Sequence, residues 1–470
     1  MTSTLALVIL ALFVPFSIGS FFAMRPLTAF LVVVLGADMF LPVEATFKLP
    51  LLPALGKINL PYMCILIACL LKCPGKLAKL PKDKWIVFCV LLGLIGGITT
   101  ALTNSDALIF GGEEGRVIPG LTLKDGFFIG ITEFFPNIIS LFLGYTLVRD
   151  AKDIERTLVA LAIGGLIYCP FAIIEMRMSP QFHQWVYGYS SGQFAQTIRW
   201  GGYRPVVFMG HGLALARFFV AATVALFVLA KTRRNLFGLP VYFLAWFQLV
   251  VLVLCKSTGA IIQAVVGILL VSLTKSRQQL LFASVLAFAT ILYPLLRATN
   301  IFPVAGVLDA ADAFGEDRSG SLAFRFANED RLLARARERI WFGWGAGRGR
   351  VFDDDGRDTT IVDGYWIGCL GMIGLNGFLI SFGSLLWPVI AARNRLRDHG
   401  DKLDRTHLAG IAVIIGLIGS DLIPNGLWSM LPFLLAGMLM RRLRELEPTA
   451  SLKYKRNNPM RCPSNGSQTT

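Results

Sequence analysis

The feature that most constrains this chain is a rhythm of apolar stretches, each close to the thickness of a bilayer, separated by short polar breaks. A hydrocarbon core ~30 Å thick takes about 20 apolar residues to cross as a helix. Thirteen stretches qualify, near residues 4–23, 26–43, 58–72, 85–103, 127–148, 155–175, 211–231, 236–254, 258–274, 278–297, 364–392, 408–420 and 426–440. Backbone polar groups in hydrocarbon must pair within their own segment, so such stretches read as helices. Hydrophobic residues make up 55% of the chain and charged residues only 16%, which excludes a soluble globular protein of this size. The expected fold class is therefore an all-α polytopic membrane protein with about 12–13 transmembrane helices. Residues 1–445 form a single transmembrane domain in this reading, and 446–470, rich in Pro, Asn and Ser, form a disordered cytoplasmic tail. The first stretch lacks a basic start, and apolar sequence resumes after Met24-Arg25-Pro26, so a retained helix is expected, with a signal anchor as the alternative.

The net charge of +15 does not signal nucleic-acid binding. The basic residues sit in short loops: Lys72, Lys76, Lys79, Lys82 and Lys84; then Arg149, Lys152 and Arg156; then Lys231, Arg233 and Arg234; then Lys275 and Arg277. Arg393, Arg395, Arg397, Lys402 and Arg405 continue the series, and Arg441, Arg442 and Arg444 close it. With the helices placed as above, every cluster falls on one side, as the positive-inside rule requires. The opposite, external side receives three longer segments, about 104–126, 176–210 and 298–362, none containing a cysteine. No disulfide framework is indicated, with seven of the eight cysteines in or beside apolar segments and Cys462 in the tail. The histidines (His183, His211, His399, His407) are too dispersed for a zinc site, and no nucleotide-binding glycine loop is present, so no metal or cofactor is expected.

The external segment from about Thr299 to Val362 carries nine arginines, no lysine and a similar number of carboxylates. Arginine presents a permanently charged fork that binds phosphate or carboxylate bidentately. Within it, Arg331 and Arg335 lie one helical turn apart on one face, Glu338 can neutralise a neighbour, and Arg337 and Arg339 read as a solvated face. The turn Trp341-Phe342-Gly343-Trp344-Gly345-Ala346-Gly347 suits close approach of backbone to a ligand, and the flat face of Trp344 suits stacking on a sugar. Asp363 stands at the mouth of the next apolar helix, as an N-cap, a catalytic carboxylate or both. Upstream, Arg199-Trp200-Gly201-Gly202-Tyr203-Arg204 leads to Gly210-His211-Gly212 at the start of another helix. Arg199 and Arg204 read either as snorkelling border residues or as anion ligands, and His211 as a helix cap or a base. Lys256, in the tight turn Lys256-Ser257-Thr258-Gly259-Ala260, reads first as structural and second as a further phosphate contact. Charges inside apolar runs are Asp38, Glu133, Arg217 and Asp421, which show no paired or repeated arrangement of the kind an ion-coupled carrier needs.

Over residues 150–445 the chain resembles the superfamily of O-antigen ligases and Wzy-type polysaccharide polymerases, bacterial inner-membrane glycosyltransferases. The resemblance rests on Arg204-Pro205 through Gly212, the small-residue turn Ser257 to Ala260, Arg331 ahead of the Trp341–Gly347 turn, and the loop-to-helix junction. In the ligases that junction reads His, then Asn, Ser or Gln, nine residues, Gly, two residues, Gly. Gly374 and Gly377 keep that spacing, while Asp363-Gly364 stand in place of the His-Asn start. Polymerases of the superfamily accept other residues there, so the resemblance points to a repeat-unit polymerase; the ligase alternative delivers finished glycan to lipid A-core or protein. It implies a GT-C-like fold with a large periplasmic loop and a donor of undecaprenyl-diphosphate-linked oligosaccharide. It implies also an acceptor glycan, membrane lipid, a chain-length regulator and export machinery as partners. Arg204 and Arg331 would clamp the diphosphate and Asp363 would act on the attacking hydroxyl. His211, Arg199, Arg335, Lys256 and Trp344 would bind substrate. A polytopic transporter or flippase is the reading from another class, and a structural subunit of an export complex is a third.

Overall fold

The computed structural model describes residues 3–49, 54–72, 84–112, 115–192, 194–313, 315–397 and 400–446. Lys76, Lys79, Lys82, His399, Cys462 and the tail from residue 447 onward lie outside the described residues. Each of the thirteen apolar stretches coincides with helix. In chain order they give α1 (Thr4–Ala23), α2 (Pro26–Phe40), α3 (Asn59–Lys72) and α4 (Lys84–Leu102). Next come α5 (Leu123–Ile129), extended by a π-helical turn over Gly130–Phe134, and α6 (Phe135–Leu147). Then follow α7 (Ala151–Met178), a short α8 (Phe182–Tyr187), α9 (Gly212–Ala230), α10 (Val241–Leu254), α11 (Thr258–Leu273) and α12 (Ser276–Ala298). The external segment adds α13 (Val304–Asp312) and α14 (Glu316–Arg337), before α15 (Tyr365–Leu396), α16 (Lys402–Asp421) and α17 (Leu431–Glu445). The strands are two-residue hairpins only, such as Ile198–Arg199 with Gly202–Tyr203. The architecture is all-α and polytopic.

Among the described residues seven helices are long and apolar enough to cross a membrane alone: α1, α4, α7, α9, α12, α15 and α16. The α5–α6 pair makes an eighth span, bent by 42°. Helices α2, α3, α10 and α11 are apolar but shorter, at 14–16 residues. At 1.5 Å per residue they reach about 21–24 Å, less than the hydrocarbon core.

Contacts among the loops sort them into two ends. At one end Lys72 Nζ donates to Met24 O (3.1 Å), Lys231 Nζ to Thr274 O (3.2 Å) and Arg277 Nε to Arg397 O (2.9 Å). Arg442 pairs there with Asp404 at 2.9 Å. The clusters at Lys231, at Lys275 and Arg277, at 393–405 and at 441–444 are thus brought together at one end, as the charge pattern predicts. The other end carries the longer connections, which interlock: His183 Nε2 accepts from Val43 N, Gly112 N donates to Asp354 O, and Arg325 reaches Pro424 O.

The longest helix is broken where the external segment meets it. Gly374 has φ +68° and ψ −161°, a region open essentially to glycine alone. The break strands backbone groups in a dry interior, and the Trp341–Gly345 turn takes them up. Trp344 N and Gly345 N donate to Gly371 O and Met372 O, while Leu375 N and Asn376 N donate to Ile340 O and Trp341 O. Thr100 and Asn104, at the end of α4, hold the same turn through Phe342 O (2.6 Å) and Gly343 O (2.9 Å). The turn expected to bring backbone to a ligand instead brings backbone to α15. A Cβ on Gly343 would lie 2.5 Å from Ile373 N, and one on Gly374 2.5 Å from Trp341 C.

A second buried cluster fixes α14. Arg297 on α12 pairs with Glu329 (3.3 Å) and Asp330 (2.7 Å), and Glu329 also accepts from Tyr293 (2.9 Å) and Trp366 (3.4 Å). Gly374→Ala should therefore cost about 1–3 kcal/mol in dihedral strain alone, before the backbone clash. The expected result is a clear drop in the thermal midpoint of the detergent-solubilised protein, whereas Gly306→Ala, whose Cβ meets nothing within 4 Å, leaves it unchanged. Equal midpoints for both variants would refute the interlock.

Candidate functional site

At the end carrying the long connections lies a hollow of about 960 Å³. Three of its cations were expected from the sequence: Arg199, Arg204 and Lys256. Two more, Arg217 of α9 and Arg325 of α14, complete it. Its floor includes Ser257 to Ala260, the uncapped first turn of α11, where Ser257 makes no side-chain cap and Ile261 N is bonded to Ser257 O. Such a turn offers free N–H groups and the positive end of the helix dipole. Among the described residues Asp421 is the one carboxylate on the wall, 3.9 Å from Arg217. The hollow is built to attract an anion.

Arg204 sits where it does because of a carboxylate on a neighbouring helix. Glu175, 1% exposed near the end of α7, accepts four backbone N–H groups: Gln181 and Phe182 on Oε1, Val206 and Val207 on Oε2. Those bonds hold the Arg204–Phe208 segment, including Val207 at φ +53°. Tyr168 Oη supports it too, accepting from Phe208 N (3.0 Å) and donating to Met39 O (2.7 Å). Gly212 then leaves room for the stem of Arg204, since a Cβ there would run into Arg204 Cγ and Cδ. The guanidinium is 8% exposed, donates to Lys256 O at 3.3 Å, and has an Nε without a partner. Burial first, and Arg199 second, push it down to about 10, so it stays cationic at neutral pH. A buried cation so poorly satisfied is poised for an anionic partner.

His211 is the cap of α9. Its Nδ1 accepts from Leu213 N (3.1 Å), which leaves Nε2 as the protonated nitrogen, 3.1 Å from Gln196 Oε1. Burial, then Arg204 and Arg199, lower its pKa, so the ring is neutral and its acceptor nitrogen is taken. Of the two readings left open by the sequence, the cap is the one seen.

Three expected site residues lie elsewhere. Arg331 does not line the hollow and grips Thr359, through its carbonyl (3.0 Å) and hydroxyl (2.6 Å). Arg335 pairs with Glu338 (2.7 Å) and lies 3.3 Å over the ring of Trp344. Trp344 itself is 5% exposed, covered by Arg335 and Arg339, with Nε1 donating to Arg335 O (2.8 Å). It has no free face for a sugar. Asp363 does not cap α15, whose N-cap is Gly364. Its carboxylate instead lies 3.7 Å from Arg325 Nε, half-buried beside the hollow.

The hollow thus joins Arg204, Arg199 and Lys256 to Asp363 through Arg325 and leaves Arg331 outside. Arg217 and Asp421, expected to be unpaired, face each other across α9 and α16, and Arg217 also donates to Leu427 O. No protein-family model matches this chain, and no curated protein matches it.

Gly212→Ala should displace Arg204 and weaken binding of inorganic pyrophosphate by about tenfold or more, since a hydrogen bond to a charged group is worth about 1.5–3 kcal/mol. Unchanged affinity would remove Arg204 from the anion site. The lowered pKa of His211 means that folding disfavours its protonation. Its contribution to stability is full above the ordinary value of 6.5 and declines as the pH falls below it. His211→Asn, which keeps a capping acceptor, should flatten that acid-side decline in midpoint-against-pH curves; an identical slope would count against the burial of the ring.

Proposed function

We propose that this chain is a membrane glycosyltransferase whose donor is a polyprenyl-diphosphate-linked oligosaccharide, the undecaprenyl carrier of a bacterial inner membrane. Its hollow opens on the periplasmic side. In this reading the thirteen apolar stretches make about 12–13 passes in a GT-C-like arrangement, and the product is a lengthened chain of repeat units. The observation that carries the reading is the hollow, in which, among the described residues, five cations and an uncapped helix start meet a single carboxylate. Its position at a membrane-protein end favours an anion presented on a lipid.

The chemistry follows from the charges. Attack of an acceptor hydroxyl oxygen on the anomeric carbon breaks the bond from that carbon to the diphosphate oxygen. The electron pair leaves with the diphosphate, and the hydroxyl proton passes to a carboxylate. Arg204, Arg199, Lys256 and the first turn of α11 stabilise the leaving diphosphate where its charge grows. Arg325, shared between the hollow and Asp363, orients that carboxylate to receive the proton. Arg331, which the sequence paired with Arg204 as the diphosphate clamp, has no part in this step. Fixed donors of this kind are worth roughly 10²–10³ in turnover each.

The test is an assay with purified protein and lipid-linked repeat units. Arg204→Ala and Arg325→Ala are expected to lose about 10²-fold or more in rate. Asp363→Asn should also be strongly impaired, while Arg331→Ala stays within a few fold of wild type. The product separates the two acceptors: a ladder of lengthened lipid-linked glycan marks a polymerase, and glycan fixed to a new acceptor marks a ligase. Full activity in Arg204→Ala would overturn the assignment.

A further inference from the structure

On the far side of Arg217 lies a second cavity, of about 400 Å³, at the same end of the molecule. Half of its lining comes from the part of the chain outside the family resemblance: Asp38 in the last turn of α2, residues 43–46, 54 and 56–59, and Tyr62 of α3. Phe218 of α9 and Trp428, ahead of α17, close the other side. Arg217 lines both this cavity and the anion hollow.

Asp38 is the unexplained group. Among the described residues its carboxylate makes no hydrogen bond and no ion pair within 4 Å. Its charged neighbours are Lys57 and Arg217. Both are committed elsewhere, Lys57 to Leu41 O and Phe208 O, and Arg217 to Leu427 O and Asp421. An ionisable group on an apolar helix without a hydrogen-bond partner is costly, and such groups mark sites of function. The rest of the lining limits what could satisfy it. Two carboxylates, Asp38 and Glu44, offset the lining cations Lys57 and Arg217, which are bonded elsewhere, so the cavity is poorly suited to a phosphate. A bare carboxylate opposes a hydrocarbon tail. A hydroxylated ligand with apolar C–H faces satisfies both halves, its hydroxyls donating to Asp38 and its ring covered by Tyr62, Phe218 and Trp428.

We propose that this cavity binds the terminal sugar of the acceptor glycan, with Asp38 accepting from its hydroxyls and Trp428 covering its ring. This assignment rests on the glycosyl-transfer reading. Donor diphosphate and acceptor sugar then occupy adjoining cavities, with Arg217 as the shared wall.

The experiment uses the full chain in nanodiscs and two separate probes: the repeat-unit oligosaccharide freed from its lipid carrier, and inorganic pyrophosphate. Binding is followed by tryptophan fluorescence and calorimetry. Asp38→Asn should weaken the oligosaccharide at least tenfold and leave pyrophosphate within twofold, and Arg204→Ala should do the reverse. Trp428→Phe, a gentler change, should weaken the oligosaccharide several-fold and lose its fluorescence response, which keeps the test open if Asp38→Asn does not fold. Oligosaccharide that binds both variants like wild type, or does not bind wild type, overturns the assignment. Pyrophosphate insensitive to Arg204→Ala, with oligosaccharide binding still lost in Asp38→Asn, overturns the diphosphate reading and leaves the sugar cavity standing.

Discussion

Backbone groups that a helix leaves open in a dry interior must find partners, and the loop end of this protein is organised around two places where that happens. At Gly374 the break in α15 exposes carbonyls on one side and N–H groups on the other, and the Trp341–Gly345 turn pairs with both. At Glu175 one carboxylate collects four N–H groups from the two ends of the 181–207 segment. The first lock seats the segment after α14 against α15. The second seats the segment before α9. Arg204 belongs to the second of these pieces and Arg325 to α14, which leads into the first, so the hollow between them depends on both.

The locks also explain why glycines cluster here. Gly374 supplies a conformation that other residues cannot adopt, and Gly212 supplies the space that the stem of Arg204 occupies. In a membrane helix a glycine stripe reads first as a packing surface. In α15 one of those glycines breaks the helix instead.

The apolar stretches were legible because hydropathy over about 20 residues is a property of the sequence itself. Arg204, Arg199 and Lys256 were legible for a related reason: they stand in short turns beside helix starts, where few conformations are open. The choice between Arg325 and Arg331 was not. At about 100° per residue, six positions turn a helix by roughly 240° beyond a full turn, so the two arginines leave α14 on different faces. Which face meets the hollow is set by the docking of Arg297 on Glu329 and Asp330, a contact between segments more than thirty residues apart in sequence. Trp344 misled for a similar reason, since an aromatic beside glycines looks the same whether its faces are free or covered by Arg335 and Arg339. Glu175 gave no signal at all, as its partners are backbone groups without sequence identity.

The arginines of the loop end fall into two kinds once their partners are compared. Arg297 meets two carboxylates, Arg348 is buried against Asp106 O and Pro119 O, and Arg335 has Glu338 and the face of Trp344. Nε of Arg335 and of Arg348 is unpaired, like that of Arg204, but Arg297, Arg335 and Arg348 each have a carboxylate or two carbonyls to hold, and their work is to hold segments together. The Arg204 side chain has one long bond to a carbonyl, and the Arg199 side chain has no hydrogen bond or ion pair among the described residues. Lys256 has one bond to Trp200 O at 3.3 Å. A fold that needed these cations only for anchoring would have given them carboxylates, as it did Arg297. Their unmet capacity, gathered in one hollow beside an uncapped helix, is what an anionic ligand would complete.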